Sequence, residues 1–183
     1  MVERDGRRLF EKLALDGQQA GLSWLTILRR RPGLRAAYAD FDPERLAAWG
    51  ADELAARLAD PRVIRHRAKI AAQVRNARAY LRLAEAGANF ASFLWQFTDG
   101  LVVQTRRPAR RPPATESAAS RAMARALGQA GFQFAGPTIC YAFMQAVGMV
   151  NDHALECFRQ PQLDPRSAAP PPRRALGRRT AGG

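Results

Sequence analysis

The chain has 183 residues, 29 Lys+Arg against 16 Asp+Glu, and a formal net charge of +13. That length fits one domain, or at most two small ones, and can bury a core without disulfide staples. An apolar fraction of 47% excludes a wholly disordered chain, and no apolar run approaches the roughly 18 residues of a membrane span.

Helical periodicity runs through almost the whole sequence. Leu9, Phe10 and Leu13 share a face near the start. Leu22, Leu25 and Leu28 repeat at helical spacing, and Pro32-Gly33 is expected to end that segment. Asp42-Pro43-Glu44 is a helix start, with Asp as N-cap and Pro in the first turn. Leu46 and Trp49 follow, and Gly50 stops the segment. Asp52 is expected to cap a short helix carrying Leu54 and Leu58, broken at Asp60-Pro61. A longer helix carries Ile70, Val74, Ala77 and Leu81 and closes at Gly87. Residues 89–97 read as another helix, and Asp99-Gly100 as a turn. LVVQ, Leu101 to Gln104, is the one weak strand signal, and residues 104–114 read as an exposed basic loop. Ser117 caps a helix with Met123 and Leu127, closed by Gly131. Gly136-Pro137 opens the last helix, which ends by Gly148. Residues 1–160 are therefore expected to form one all-α domain, and residues 161–183, rich in Pro, Ala and Arg, a disordered basic tail.

The charge favours a polyanionic partner. Only Lys12 and Lys69 are lysines; every other Lys/Arg position is arginine. Ala, Gly and Pro are also abundant, so codon bias accounts for part of the charge. The first residues, MVERDGRR, are not a signal peptide. Cys140 and Cys157 make no disulfide framework, and a reducing cytosol is the expected setting.

Three segments can carry chemistry. GQQAGLSW, residues 17–24, links two helices, with Asp16 just before it. If Ser23 caps the second helix, Asp16 and Trp24 can face one cavity; a core Trp beside a plain connecting loop fits the same residues. RVIRHRAK, residues 62–69, joins a short helix to a long one. Such a corner can offer backbone N–H groups and the charges of Arg65, His66, Arg67 and Lys69 to a phosphate, or can be a solvated helix start. His153 and Cys157 stand at i and i+4, which on a helix suits half of a zinc site. A buried Cys beside a surface His fits that spacing equally.

These segments occur in one order: LFEKLALDGQQAGLSWLTILRRR, FDPERLAAW, VIRHRAKI with NARAYL, SFLWQF, then GFQFAGPTICYAFMQAVGMVNDHALEC. Together, from Arg7 to Cys157, they closely resemble the DNA-3-methyladenine glycosylase I family. The resemblance implies a divergent, all-α, zinc-containing branch of the helix-hairpin-helix glycosylases. It implies an enzyme of base-excision repair that hydrolyses the N-glycosidic bond of 3-methyladenine in alkylated duplex DNA by base flipping, leaving an abasic site. The implied setting is bacterial cytosol, with a monomer that engages no membrane. Trp24 matches the family's stacking Trp, and Asp16 stands where the family has its base-recognising Glu. Asp is one methylene shorter, roughly 1.5 Å less reach, so weaker base contact is expected. Leu22 is a candidate wedge for the gap left in the base stack, ordinary core packing being its other reading. Arg65 and Lys69 are candidate phosphate contacts. Arg62 replaces the usual Gly of the hairpin turn, where a positive φ would strain it. His153 and Cys157 match the C-terminal pair of zinc ligands. The family's N-terminal segment supplies a Cys, a His and a pocket Tyr; here only two of four ligands are present, and the expectation is a start codon placed too late. Only Lys12 is close in sequence to the pocket motif, and no lysine is expected to form a Schiff base, so no lyase step is expected either. The alternative is a catalytically impaired binder of damaged DNA.

Overall fold

A computed structural model describes residues 2–164. Eight α-helices, three short 3₁₀ turns and one two-stranded parallel pair make up the regular structure of these residues. The order is α1 Gly6–Gln19, α2 Trp24–Ala37, α3 Pro43–Ala47, α4 Ala51–Ala59, α5 Arg67–Glu85, α6 Phe90–Trp95, β1 Val103–Gln104, α7 Ala118–Ala130, α8 Pro137–Ala146 and β2 Val150–Asn151. The all-α expectation holds. The weak strand signal is real but short: Val103 pairs with Val150, and Gln104 with Asn151.

Short polar side chains start the helices. Asp5, Ser23, Asp42 and Asn89 each accept a backbone N–H three residues on. Ser117 and Ser120 cap one another reciprocally. Gly50, rather than Asp52, begins α4, and its N–H donates to Glu53 Oε2 at 2.9 Å. Gly131 ends α7 at φ +99°, a conformation that favours glycine.

Helix α1 is the centre. Leu9, Phe10, Leu13, Ala14 and Leu15 are all buried, and α1 packs on α2, α5 and α8. Phe10, Tyr80, Phe90 and Phe132 form a ring cluster with successive centroid distances of 5.3, 4.9 and 5.6 Å. Glu11, almost fully buried, accepts from Arg31 Nε and Nη2 at 3.0 and 2.9 Å and from Arg35 Nη1 at 2.5 Å. That fork ties α2 to α1.

One expectation for α2 fails. The helix does not stop at Pro32-Gly33 but runs through both to Ala37. The Glu11 fork holds Arg31 and Arg35, on either side of the break, to one helix face. A Cβ on Gly33 would stand 3.3 Å from Arg62 Cβ, so the residue is small for packing rather than for stopping. The stripe Leu22, Leu25, Leu28 faces outward, at 39, 54 and 47% exposure, while Ile27, Leu34 and Ala37 take the core. Of the expected tail, Pro161–Leu163 form a 3₁₀ turn whose Leu163 carbonyl accepts from Gln104 Nε2 at 2.9 Å. Residues 165–183 lie outside the described residues.

An interior proline removes one helix hydrogen bond and crowds the preceding turn. Pro32→Ala is therefore expected to raise stability by about 1–3 kcal/mol in chemical denaturation. A loss of stability would show that packing uses the proline's local geometry.

Candidate base-binding site

Asp16 sits in the last turn of α1 and is 3% exposed. Its Oδ1 accepts a hydrogen bond from Lys12 Nζ, one turn earlier on the same helix. Its Oδ2 is buried and has no hydrogen-bond partner among the described residues. Burial pushes the Asp16 carboxyl up to about 6, against the opposing pull of the Lys12 charge and hydrogen bond. Burial, helped by the Asp16 charge, pushes the Cys140 thiol up to about 12. Both cysteines are free.

Trp24 opens α2 immediately after its cap, as the Ser23 reading predicts: Ser23 Oγ accepts from Thr26 N at 3.2 Å. Lys12 Nζ lies 4.5 Å from the Trp24 ring centroid. One ammonium thus bridges a buried carboxylate and an indole face. Lys12, the one lysine close in sequence to this motif, stands against both groups. Lys12 precedes Asp16 by four residues on a helix, and that spacing alone carried the signal. Lys12 and Trp24 line a cavity of about 820 Å³ with Leu15, Ile27, Leu28 and Arg31. Asp16 also borders a smaller cleft of about 190 Å³ with Gln19, Gly21, Leu22, Thr138 and Ile139.

Between α1 and α2, Gly21 takes φ +77° and turns the chain outward. Leu22 follows at the tip, exposed and beside the Asp16 cleft. Core packing is excluded for Leu22 by that exposure.

Lys69 is not on the surface. It is 5% exposed, and its ammonium donates to Gln18 O at 2.8 Å and Ala20 O at 2.6 Å. These carbonyls belong to the C-terminal end of α1, where backbone acceptors lack helical partners and carry partial negative charge. Lys69 is thus a helix cap, and burial pushes its pKa down. Its expected phosphate role is withdrawn. Sequence reasoning placed it with its charged neighbours and had no signal for its inward direction.

Arg65 is exposed in the turn between α4 and α5, as expected. It lines a groove of about 860 Å³ with Leu54, Leu58, Arg67 and Arg75. His66 is the α5 N-cap, its Nδ1 accepting from Lys69 N at 3.3 Å. Arg62 takes no positive φ, so the expected strain is absent. Asp60 grips it instead, with Nε–Oδ1 at 2.9 Å, Nη2–Oδ2 at 2.7 Å and the Arg62 N–H on Oδ1 at 2.9 Å. The Arg62 hydrogen bonds pull the Asp60 carboxyl down to about 2.

His153 and Cys157 come together, with Nδ1 and Sγ 3.7 Å apart, but on a turn rather than a helix. Two ligands of one tetrahedral zinc stand roughly 3.6 Å apart by the usual bond lengths, so the pair fits one edge. Among the described residues no group of three metal-binding side chains exists. The donors present therefore make half a site and do not close one. No described helix is long and apolar enough to cross a membrane.

A family model described as methyladenine glycosylase matches residues 1–160. The chain belongs to the methyladenine glycosylase family. It is similar to the DNA-3-methyladenine glycosylase of Haemophilus influenzae, 44% identical over 155 residues, covering 85% of this chain and 84% of that one. It is also similar to DNA-3-methyladenine glycosylase 1 of Escherichia coli K12, 43% identical over 163 residues, covering 89% of this chain and 87% of that one. A crystal structure of a 3-methyladenine DNA glycosylase I superposes with TM-score 0.82 at 47% identity, covering 86% of this chain and 87% of that one. A family member is thus an enzyme of glycosidic-bond hydrolysis, and the all-α architecture is the family's.

Arg65 and Lys69 are separable by measurement. Arg65→Ala is expected to weaken duplex DNA binding and lower the salt slope by about 1, with the fold intact. Lys69→Met is expected to cost about 1–3 kcal/mol of stability, because two buried carbonyls lose their donor, while the salt slope stays unchanged. Equal salt slopes for wild type and Arg65→Ala would remove Arg65 from the interface.

Proposed function

We propose that this chain excises 3-methyladenine from alkylated duplex DNA, flipping the base into the space between Asp16 and Trp24 and leaving an abasic site. The observation that carries the proposal is the ammonium already held between that carboxylate and that indole. A site that seats one cation there is built for another. The relatives' names specify the same substrate base, and a related structure, 32% identical, was solved in complex with 3-methyladenine.

Methylation at N3 makes adenine in DNA a cationic leaving group, so its departure needs no strong acid. The protein must extrude the base, recognise its charge and shape, and admit water. The Trp24 face supplies stacking and cation–π attraction, on the order of 0.5–2 kcal/mol. Asp16 supplies the negative charge that favours the cation, in a dry setting where charge acts strongly. Its buried, partnerless Oδ2 is free to accept a hydrogen bond from the base edge. Leu22, exposed at the tip of the connecting turn, is the wedge that fills the vacated stack. Arg65 and the arginines around it anchor the phosphate backbone. The base is given to a carboxylate and an indole, neither of which is an amine nucleophile, so the reading is a monofunctional glycosylase without a Schiff-base step.

Zinc is a second part of the proposal. His153 and Cys157 act as two zinc ligands, and the metal would supply structural cross-linking of this turn, not chemistry at the base. With two donors the hold is weak. The purified 183-residue chain is expected to carry less than one tight zinc per molecule. Stoichiometric zinc that resists mild chelation would contradict this.

The Asp16 carboxyl gives the sharpest test. Its pKa rises from an ordinary 3.8 to about 6 on folding. Between those values the folded chain keeps a proton that the unfolded chain has released. Stability therefore falls as pH rises through that window and stays lower above it. Excision runs the other way and rises with pH through about 6, as the carboxylate forms. Asp16→Asn is expected to gain about 1–3 kcal/mol of stability at pH 8 while losing roughly a hundredfold or more in base release. Full release by Asp16→Asn would refute the assignment. Binding of methylated DNA by the wild type without any release would favour a binding protein instead.

A further inference from the structure

Lys12 is used neither by the family resemblance nor by the reaction proposed above. Its ammonium touches Asp16 Oδ1 and lies 4.5 Å from the centroid of Trp24. These are the two groups that the proposed function gives to the base. One carboxylate oxygen and one indole face, at this spacing, hold a single cation. An ammonium and a methylated adenine cation in the same place would repel one another.

We propose that Lys12 is a displaceable occupant of the base site, holding the space between Asp16 and Trp24 in the free protein and swinging out when the base enters. This rests on the reading of Asp16 and Trp24 as the base site. Lys12 is then a specificity-determining residue that acts through occupancy rather than by contact with the reacting bond.

The geometry permits the exchange. The Lys12 side chain is 23% exposed against 3% for Asp16, so the ammonium has a path to water that the carboxylate lacks. Lys12 lines the cavity of about 820 Å³, which gives its four-carbon stem room to turn. The pair also runs Lys-then-Asp along the helix, the weaker order for an i,i+4 ion pair. A displaced ammonium recovers strong hydration.

The consequence is selectivity by charge. A cationic base that removes Lys12 restores the counter-charge of Asp16. An uncharged base that removes Lys12 leaves a buried carboxylate with no counter-ion, which is strongly disfavoured. Ordinary uncharged bases are thus kept out by the same side chain that a damaged, cationic base replaces. The site never stands as an unpaired buried charge in either state.

The lysine content makes the test clean, because Lys12 and Lys69 are the only lysines. The intact protein would be acetylated with an N-hydroxysuccinimide ester, with and without saturating 3,9-dimethyladeninium, a fixed cation whose N9 methyl stands for the sugar, and each lysine followed by peptide mass spectrometry. Lys12 is expected to react at least about threefold faster with the base bound, as an ion-paired amine returns to water. Lys69, buried on two carbonyls, serves as the unchanged reference. Calorimetry of Lys12→Ala is expected to show 3,9-dimethyladeninium bound roughly three- to tenfold tighter than by wild type. Bound base with Lys12 no more reactive than before, and Lys12→Ala no tighter, would overturn the proposal while leaving the base site standing. No binding of 3,9-dimethyladeninium by either protein would overturn the base-site reading and this proposal together.

Discussion

A carboxylate buried at the C-terminal end of a helix is the constraint around which this molecule is arranged. Asp16 lies in the last turn of α1, where the backbone is partially negative, and it is 3% exposed. Burial and the helix end both oppose its ionisation. The chain answers with its two lysines. Lys69 reaches from α5 to the terminal carbonyls of α1, and Lys12 reaches along α1 to the carboxylate itself. A sequence otherwise dominated by arginine places a compact ammonium at each of these points. An ammonium fits between two carbonyls, or between a carboxylate and a ring, where a planar guanidinium demands a wider fork.

The remaining features follow from fixing that end of α1. The Glu11 fork and the ring cluster hold the helix in the core. Lys69 then fixes where the chain leaves α1, Gly21 turns it, Leu22 projects at the tip, and Ser23 starts α2 so that Trp24 faces back across the turn. Lys69 also belongs to the first turn of α5, next to the Arg65 corner. The end of α1 and the α4–α5 corner are therefore joined through one side chain.

Much of this was legible in the residues. Helix starts at Asp42, Ser117 and Ser23, and stops at Gly131 and Gly148, are local signals, and local signals survive folding. The nearness of Asp16 and Trp24 depends on a short loop and one cap and was readable, but the two meet through Lys12 and line separate cavities rather than one. What escaped depends on long-range contacts. The outward face of Leu22, Leu25 and Leu28 has the same spacing as a core stripe, and only the packing of α1 against Ile27 and Leu34 decides which stripe is buried. The passage of α2 through Pro32 rests on the contacts of Arg31 to Glu11 and of Gly33 to Arg62, 20 and 29 residues away. Lys69 looked like a member of a basic surface run, and its inward direction is set by a helix end 49 residues distant. The half zinc site was read at the right residues on the wrong element, a turn in place of a helix.

The most direct measurement of the central claim is release of free 3-methyladenine from methylated duplex DNA by the intact chain, beside a Trp24→Ala variant that melts cooperatively. The account predicts release by the wild type and its near-complete loss in the variant, because the carboxylate alone does not hold a flipped base in register. Undiminished release by Trp24→Ala would contradict it, and would move the base site away from the space between Asp16 and Trp24.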